Sequence, residues 1–372
     1  MPFGHPQLNI MKRIPALYLA AATLIIFGCN FGCNEEKPKG LDITITPEAG
    51  TTVKAGTDVT VTVKYPADMV PDSIVYLLDS TTVASKKDAS AITIKTDSVA
   101  LGPKAITAKL YRQGTSYDVS TNIVLLAAKA PEQLTFKVEN VFPHDVESYT
   151  EGLEYHDGYL YESDGGYVTP PPGQDAVGPS SLRKVDLATG KVILSVQNDP
   201  AVFAEGIAIV GDKLIQLTYH EKVGYVYDKN TFKLLNTFNN NVGVEGWGMT
   251  FDGEKLYMDD STNRIWFLDK NTYQQKGYVD VYDDKGPVNS INELEYVDGK
   301  IYANVYLTDD IIVIDPKTGA VLQKIDLKSL YPNRKNTDDE VLNGIAWDAK
   351  GKRFFVTGKK WDKLFQVSFS RK

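Results

Sequence analysis

Cysteine is nearly absent. The 372 residues contain two, Cys29 and Cys33, both near the N-terminus, so the body of the protein has no disulfide framework and no thiolate metal site. Basic charge is also short. Forty Lys and Arg against 48 Asp and Glu give a net charge of −8, which excludes the cationic face that nucleic acid requires. Histidine occurs four times and forms no ligand spacing, so no catalytic metal is expected. No long apolar run exists either: the stretch after Met11 holds about a dozen apolar residues, too few to span a bilayer comfortably. What is abundant is tyrosine, with 21 residues. Set among Asp-Gly and Asn-Thr turns, it points to a β-rich protein.

From Met11 the chain reads "MKRIPALYLAAATLIIFGC": two cations, an apolar stretch, then Ile26-Phe27-Gly28-Cys29. This resembles a lipoprotein signal, with translation starting at Met11, cleavage before Cys29 and lipid on its sulfur. Residues 1–33 are assigned to the signal and lipidation region and 34–40 to a polar tether. The expected location is the cell envelope, lipid-anchored on the periplasmic face or the outer surface of the outer membrane.

Residues 41–128 alternate apolar and polar in segments such as "TDVTVTVKY", "DSIVYLLDS" and "KAITAKLYRQG". Period-2 segments about ten residues apart, broken by Gly, Pro and Asp, predict an antiparallel immunoglobulin-like β-sandwich. It carries no acidic, His or Cys cluster, and reads as a spacer or a loop-based binding module.

Residues 129–372 repeat. The copies are "EGLEYHDGYLYESDG" from Glu151, "EGIAIVGDKLIQLTY" from Glu205, "EGWGMTFDGEKLYMDDS" from Glu245, "NELEYVDGKIYANVY" from Asn292 and "NGIAWDAKGKRFFVTGK" from Asn343. They are spaced by 54, 40, 47 and 51 residues. Each is a strand, a tight turn and a second strand, and most continue into a third and fourth. Four strands repeating at this period predict a five-bladed β-propeller. The last copy has three strands, and "QLTFKVENVF" (133–142) is expected to complete it and close the ring.

In a propeller the first strand of each blade lines the channel. The string alignment makes Glu151, Glu205, Glu245, Asn292 and Asn343 equivalent around one mouth. Strand two returns there at Gly165, Tyr219, Ser261, Tyr306 and Lys359. The same alignment sets Trp247 in place of an aliphatic residue, as a flat wall. Crowded carboxylates shift one another's pKa, which acid–base chemistry needs. Channel lining that only satisfies backbone groups and water is the other reading.

At these residues the chain resembles the plant- and bacterial-type glutaminyl-peptide cyclotransferases, through "YTEGLEYHDGYLYESDG", "SSLRKVDLATGKV", "AEGIAIVGDKLIQLTY", "GWGMTFDGEKLYMDD", "NELEYVDGKIYANV", "LNGIAWD" and "FVTGKKWDKLFQV". These run in family order over 140–369; the sandwich is outside the resemblance. The resemblance implies a five-bladed propeller that converts N-terminal Gln of peptides or proteins to pyroglutamate with release of ammonia. It implies Glu205 as general base and acid, Trp247 as a wall for the ring, and Asn292 and Lys359 on the amide and its developing charge. Lys359 as a salt-bridge partner of a ring carboxylate remains open. Tyr149, Glu151, Tyr219 and Tyr306 fall at substrate-touching positions. The family has Gln for Glu151 and Trp for Tyr219 and Tyr306, so charge is added and apolar wall lost. No cofactor is implied, with room for a structural calcium in the channel, and the protein is expected to be a monomer. The insertion "GGYVTPPPGQDAVGP" (165–179) is read as a rim or lid, or else as a mobile loop. Two other functions stay open: a non-catalytic surface lipoprotein that binds through the propeller, and a calcium-dependent lactonase-like enzyme.

Overall fold

A computed structural model of the chain describes residues 42–174, 176–332, 334 and 340–372. The signal segment, the tether and Cys29 lie outside the described residues. Those described are all-β, without an α-helix, and none offers a helix long and apolar enough to cross a membrane.

The N-terminal part has two sheets. One joins Thr44–Thr46, Val59–Lys64 and Ile92–Ile94; the other orders Thr51–Lys54, Thr115–Leu126, Gly102–Arg112, Ser73–Leu78 and Thr81–Lys86. Alternation sets the shared core: Val59, Val61 and Val63 point inward with Ile74, Tyr76, Ile106, Ala108 and Leu110, while Thr60 and Lys64 face solvent. One pairing departs from the expected antiparallel pattern. Thr51–Lys54 runs parallel to Ile123–Leu126. The chain breaks after Thr46, turns at Gly50 (φ +79°) and moves from the edge of one sheet to the edge of the other.

This part is held against the rest. Leu101 N donates to Thr318 O at 2.8 Å and Ala127 N to Asp283 O at 3.0 Å, and Tyr282 enters the same core. Gly102 (φ +91°) sits where a Cβ would lie 3.1 Å from the Tyr282 ring and 3.2 Å from Asp280, so a side chain there would force the two parts away from each other.

Residues from 150 onward make four-stranded sheets. The first is Thr150–His156, Tyr159–Asp164, Ser181–Asp186 and Val192–Gln197; the second Ala204–Val210, Lys213–Thr218, Val223–Asp228 and Leu234–Asn239. The third is Met249–Phe251, Lys255–Asp259, Arg264–Asp269 and Gln275–Asp280. The fourth is Ile291–Val297, Lys300–Val305, Asp310–Ile314 and Val321–Asp326. The fifth takes Leu342–Asp348, Arg353–Gly358 and Lys363–Arg371, and its outer strand is Glu132–Pro143, antiparallel to Lys363–Arg371. Glu132–Leu134 also pairs, in parallel, with Gln323–Ile325 of the fourth sheet. The first strand of each sheet packs on the first strand of the next, and that of the fifth on that of the first.

Local chemistry draws these sheets. Asp157-Gly158 and Asp298-Gly299 both have positive φ, as a two-residue hairpin turn between right-twisted strands demands. Between strands three and four, Asp186, Asp228, Asp269 and Asp315 each accept from the Thr three residues on, at 2.6–3.0 Å. That is a side-chain-closed turn repeated four times. The fifth sheet lacks it because its fourth strand comes from the other end of the sequence.

The join is locked by buried charge. His144, just past Glu132–Pro143, places Nε2 2.8 Å from Glu162 Oε1 and Nδ1 2.7 Å from Trp361 O. Burial works against charge on His144, but Glu162 and the Trp361 carbonyl outweigh it and push its pKa up to about 9. Burial likewise works against charge on Glu162, yet His144, Thr150 and Ser148 pull it down to about 2. A histidine raised in the fold stabilises fully below its unfolded value near 6.5 and ceases to as pH passes 9. A depressed carboxylate stabilises above about 4.5 and ceases to as pH falls through 2. The pair therefore contributes in full between about pH 4.5 and 6.5. Raising the pH from 6.5 to 9.5 is expected to cost about 3 kcal/mol through His144. Urea melts across that range test this: the double variant His144→Gln, Glu162→Gln should lose about one proton's worth of the slope, the rest coming from other buried carboxyls such as Glu154 and Asp164, and a slope equal to that of the wild type would refute the assignment.

Candidate active site

Strand register decides which residues meet at the mouth. Leu153 pairs with Glu162, Ile207 with Gln216, Leu294 with Ala303 and Ile345 with Val356. In the third sheet the corresponding pair is Met249 with Met258. The residue two positions earlier is thus Glu151, Glu205, Trp247, Asn292 and Asn343. The sequence alignment of the third copy is off by two. Trp247, not Glu245, takes the ring position, and the aliphatic position belongs to Met249. Glu245 turns away, with Oε1 3.8 Å from His220 Nδ1.

The cause is the close approach of the first strands. A Cβ on Gly152 would fall 2.7 Å from Ile207 N, one on Gly206 2.5 Å from Trp247 O, and one on Gly248 2.2 Å from Asn292 O. Only glycine fits at these three positions, and the pairing of Met249 with Met258 makes Gly248 the counterpart of Gly152 and Gly206. In the fourth sheet Glu293 holds this place. Its carboxylate accepts from Leu153 N at 3.2 Å and Ile345 N at 2.8 Å.

Above this level lies a cavity of about 260 Å³, lined by Tyr149, Glu151, Glu205, Tyr219, Trp247, Asn292, Tyr306 and Lys359. All eight residues singled out from the sequence are brought together. Gly165, Ser261 and Glu245 do not line it. Phe203, Tyr167, Gln174 and Val177 do, and they were not anticipated. Phe203 had a signal: it precedes Glu205 by two, as Tyr149 precedes Glu151. Tyr167, Gln174 and Val177 come from the 165–179 insertion, which forms part of the rim.

Aromatic rings make the wall. Phe203 contacts Tyr149, Tyr167 and Tyr219 with centroids 6.1, 5.2 and 5.9 Å away, and Trp247 meets Tyr306 edge-on at 5.5 Å. Charge sits against it. Lys359 Nζ lies 2.7 Å from Glu151 Oε1, over the rings of Tyr149 and Tyr306 at 4.6 and 5.4 Å, and Asn343 Nδ2 reaches Glu151 Oε2 at 3.2 Å. Burial works against the ammonium, but Glu151, Tyr149 and Glu205 outweigh it and push its pKa up. The salt-bridge alternative for Lys359 is therefore its geometry here.

Glu205 is 4% exposed. Its pKa is pushed well above the ordinary carboxylate value by burial and then by the charge of Glu151, with Lys359 opposing. Nearby, Trp247 Nε1 and Asn292 Oδ1 are buried without a hydrogen-bond partner. An unused donor and an unused acceptor beside a proton-holding carboxyl suit an amide ligand. Among the described residues, no three His, Cys, Asp or Glu side chains are arranged to hold a metal.

An all-β scaffold presenting a buried proton-carrying carboxyl in an aromatic cup defines the class: an acid–base enzyme for a small, partly apolar group. A family model described as glutamine cyclotransferase matches residues 108–369. The chain is 36% identical over 234 residues to a glutaminyl-peptide cyclotransferase of Arabidopsis thaliana, covering 62% of this chain and 70% of that protein. The crystal structure of Myxococcus xanthus glutaminyl cyclase matches with TM-score 0.58 at 30% identity, over 65% of this chain and 99% of that one. The chain belongs to the glutamine cyclotransferase family.

Breaking the buried ion pair from one side leaves Glu151 unbalanced beside Glu205. Lys359→Met is expected to cost about 3 kcal/mol, and adding Glu151→Gln to restore much of it. Denaturant midpoints of the two variants check this; a double variant no more stable than the single would contradict the pairing.

Proposed function

We propose that this glutaminyl-peptide cyclotransferase closes the N-terminal Gln of peptides and proteins to pyroglutamate by passing one proton through Glu205. The α-amine nitrogen bonds to the side-chain carbonyl carbon, the bond from that carbon to the amide nitrogen breaks, and ammonia leaves. Attack is intramolecular, so binding need only fold the side chain back on its own amine and no enzyme nucleophile is required. Glu205 takes the proton that the amine loses and returns it to the departing nitrogen. A carboxyl whose pKa burial has raised well above its ordinary value is better matched to the amine it deprotonates, so the proton exchanges at less cost in either direction.

The observation that carries this reading is the raised, buried Glu205 carboxyl beside two unpartnered amide-complementary atoms. Trp247 offers its ring to the forming lactam and Nε1 to a carbonyl oxygen. Asn292 Oδ1 accepts from the amide N–H. Lys359 has donors beyond the one given to Glu151, and places positive charge where the tetrahedral oxygen becomes anionic. Tyr149, Tyr219 and Tyr306 complete the wall, and Glu151 sets the field at Glu205. No metal or cofactor takes part in the steps as written.

In the same reading residues 129–372 are a five-bladed propeller, supported by the closed succession of first strands and by the borrowed outer strand Glu132–Pro143. Residues 41–128 are an immunoglobulin-like sandwich used as a spacer. Lipid on Cys29 holds the monomer in the cell envelope, where its substrates are exported or imported polypeptides.

Ammonia release from a Gln-initiated dipeptide tests the mechanism. Glu205→Gln should lower kcat by about 10³ while peptide binding, measured by calorimetry, persists; near-normal turnover would remove Glu205 from the reaction. Glu151→Gln removes a repelling charge and frees Lys359 to face Glu205, and both effects lower the Glu205 pKa. The acid limb of the kcat/KM profile should therefore move to lower pH. A shift upward, or none, would show that Glu151 does not set that limb.

A further inference from the structure

The rest of a peptide substrate must leave the cavity past its rim, and the rim there is built. Tyr167 lines the catalytic cavity, and its hydroxyl donates to Glu221 Oε1 at 2.7 Å. Beyond that bond lies a second cavity of about 340 Å³, walled by Thr169, Pro170, Pro171, Ala201, His220 and Glu221. The neighbours Tyr219 and His220 face the first and the second cavity respectively, so the two are one residue apart along the chain. Its proline wall is fixed: Val168 N and Thr169 N both donate to Pro200 O at 3.0 Å.

The chemistry of this second cavity is one-sided. Glu221 has only a neutral phenol on Oε1, and its Oε2 is buried without a partner. No cation lies within ion-pair distance of it among the described residues. The adjacent Lys222 is spent on the carbonyls of Gly243 and Val244, and His220 Nδ1 is directed at Glu245, 3.8 Å away. A half-buried carboxylate with one oxygen unused, faced by proline rings, fits a side chain with an apolar stem and a cationic end.

We propose that this cavity is a specificity subsite for the residue after the N-terminal Gln, and that it selects Arg or Lys there. The proposal rests on the cyclotransferase reading and narrows its substrate class to Gln-initiated chains with a basic second residue.

The test is kcat/KM for ammonia release from Gln-Arg-Ala, Gln-Ala-Ala and Gln-Glu-Ala. The wild type should rank them in that order, with about a tenfold gap between the first two, as for a charge-assisted hydrogen bond. Glu221→Gln, which still accepts from Tyr167, should collapse that ratio toward one. Glu221→Lys should make Gln-Glu-Ala the best of the three, a gain that misfolding does not produce. Turnover without discrimination, or discrimination that survives Glu221→Gln, overturns the subsite alone. Failure of the wild type on every Gln peptide overturns the cyclotransferase reading, and the subsite with it.

Discussion

The first strands of successive sheets pack on one another closer than a Cβ allows at Gly152, Gly206 and Gly248. That steric constraint organises everything at the mouth. It fixes which residue lies one place earlier, and hence that Glu151, Glu205, Trp247, Asn292 and Asn343 form one level. Where the fourth sheet breaks the glycine pattern, Glu293 sends a carboxyl into the axis and ties the first and fifth sheets by their backbone N–H groups. The same contact that excludes side chains thus admits one, where its hydrogen bonds make up for lost strand-to-strand approach.

Burial then decides who carries charge. Glu293 and Glu295 are buried, and desolvation pushes their pKa values well above the ordinary carboxylate range, which favours their neutral forms. What Glu205 feels after its own burial is chiefly Glu151 against Lys359. A neutral Gln at position 151, as the family resemblance implies, would leave Lys359 unopposed and Glu205 more acidic. Glu in its place balances the cation and holds the Glu205 pKa up. Tyr306 accommodates the change, since Lys359 lies over its ring and over that of Tyr149.

Much of this was legible because it is local. Asp157-Gly158 and Asp298-Gly299 announce hairpins within two residues, and the Asp-to-Thr turns recur within four. The candidate residues were found for the same reason, since each stands at a fixed offset from a turn. What was lost is non-local. The string "EGWGMT" offers two glycines, both pressed against backbone oxygens, and only the pairing of Met249 with Met258 shows that Gly248 is the counterpart of Gly152 and Gly206; matching Glu245-Gly246 instead misplaces Trp247 by two. His144 joins Glu162 and Trp361, partners 18 and 217 residues away, and no periodicity marks it. The parallel strand Thr51–Lys54 depends on a change of sheet that composition does not encode. Phe203 is legible too, since it stands two places before Glu205 as Tyr149 does before Glu151.

The Glu-Trp neighbourhood in the third copy therefore has a simple physical meaning. Had Glu245 occupied the ring, three carboxylates would have shared one desolvated level with a single ammonium, and repulsion would have driven at least one to accept a proton or to leave. Trp247 there instead removes a charge, adds a flat apolar face, and leaves one indole N–H unpaired beside Asn292. Displaced outward, Glu245 engages His220 on the rim. The mouth then holds one buried carboxyl of raised pKa, one cation beside one acidic partner, and an aromatic cup. Each is fixed by packing rather than by contact with a ligand, so the site is formed before substrate arrives, and binding energy is left for bending the Gln side chain onto its own amine.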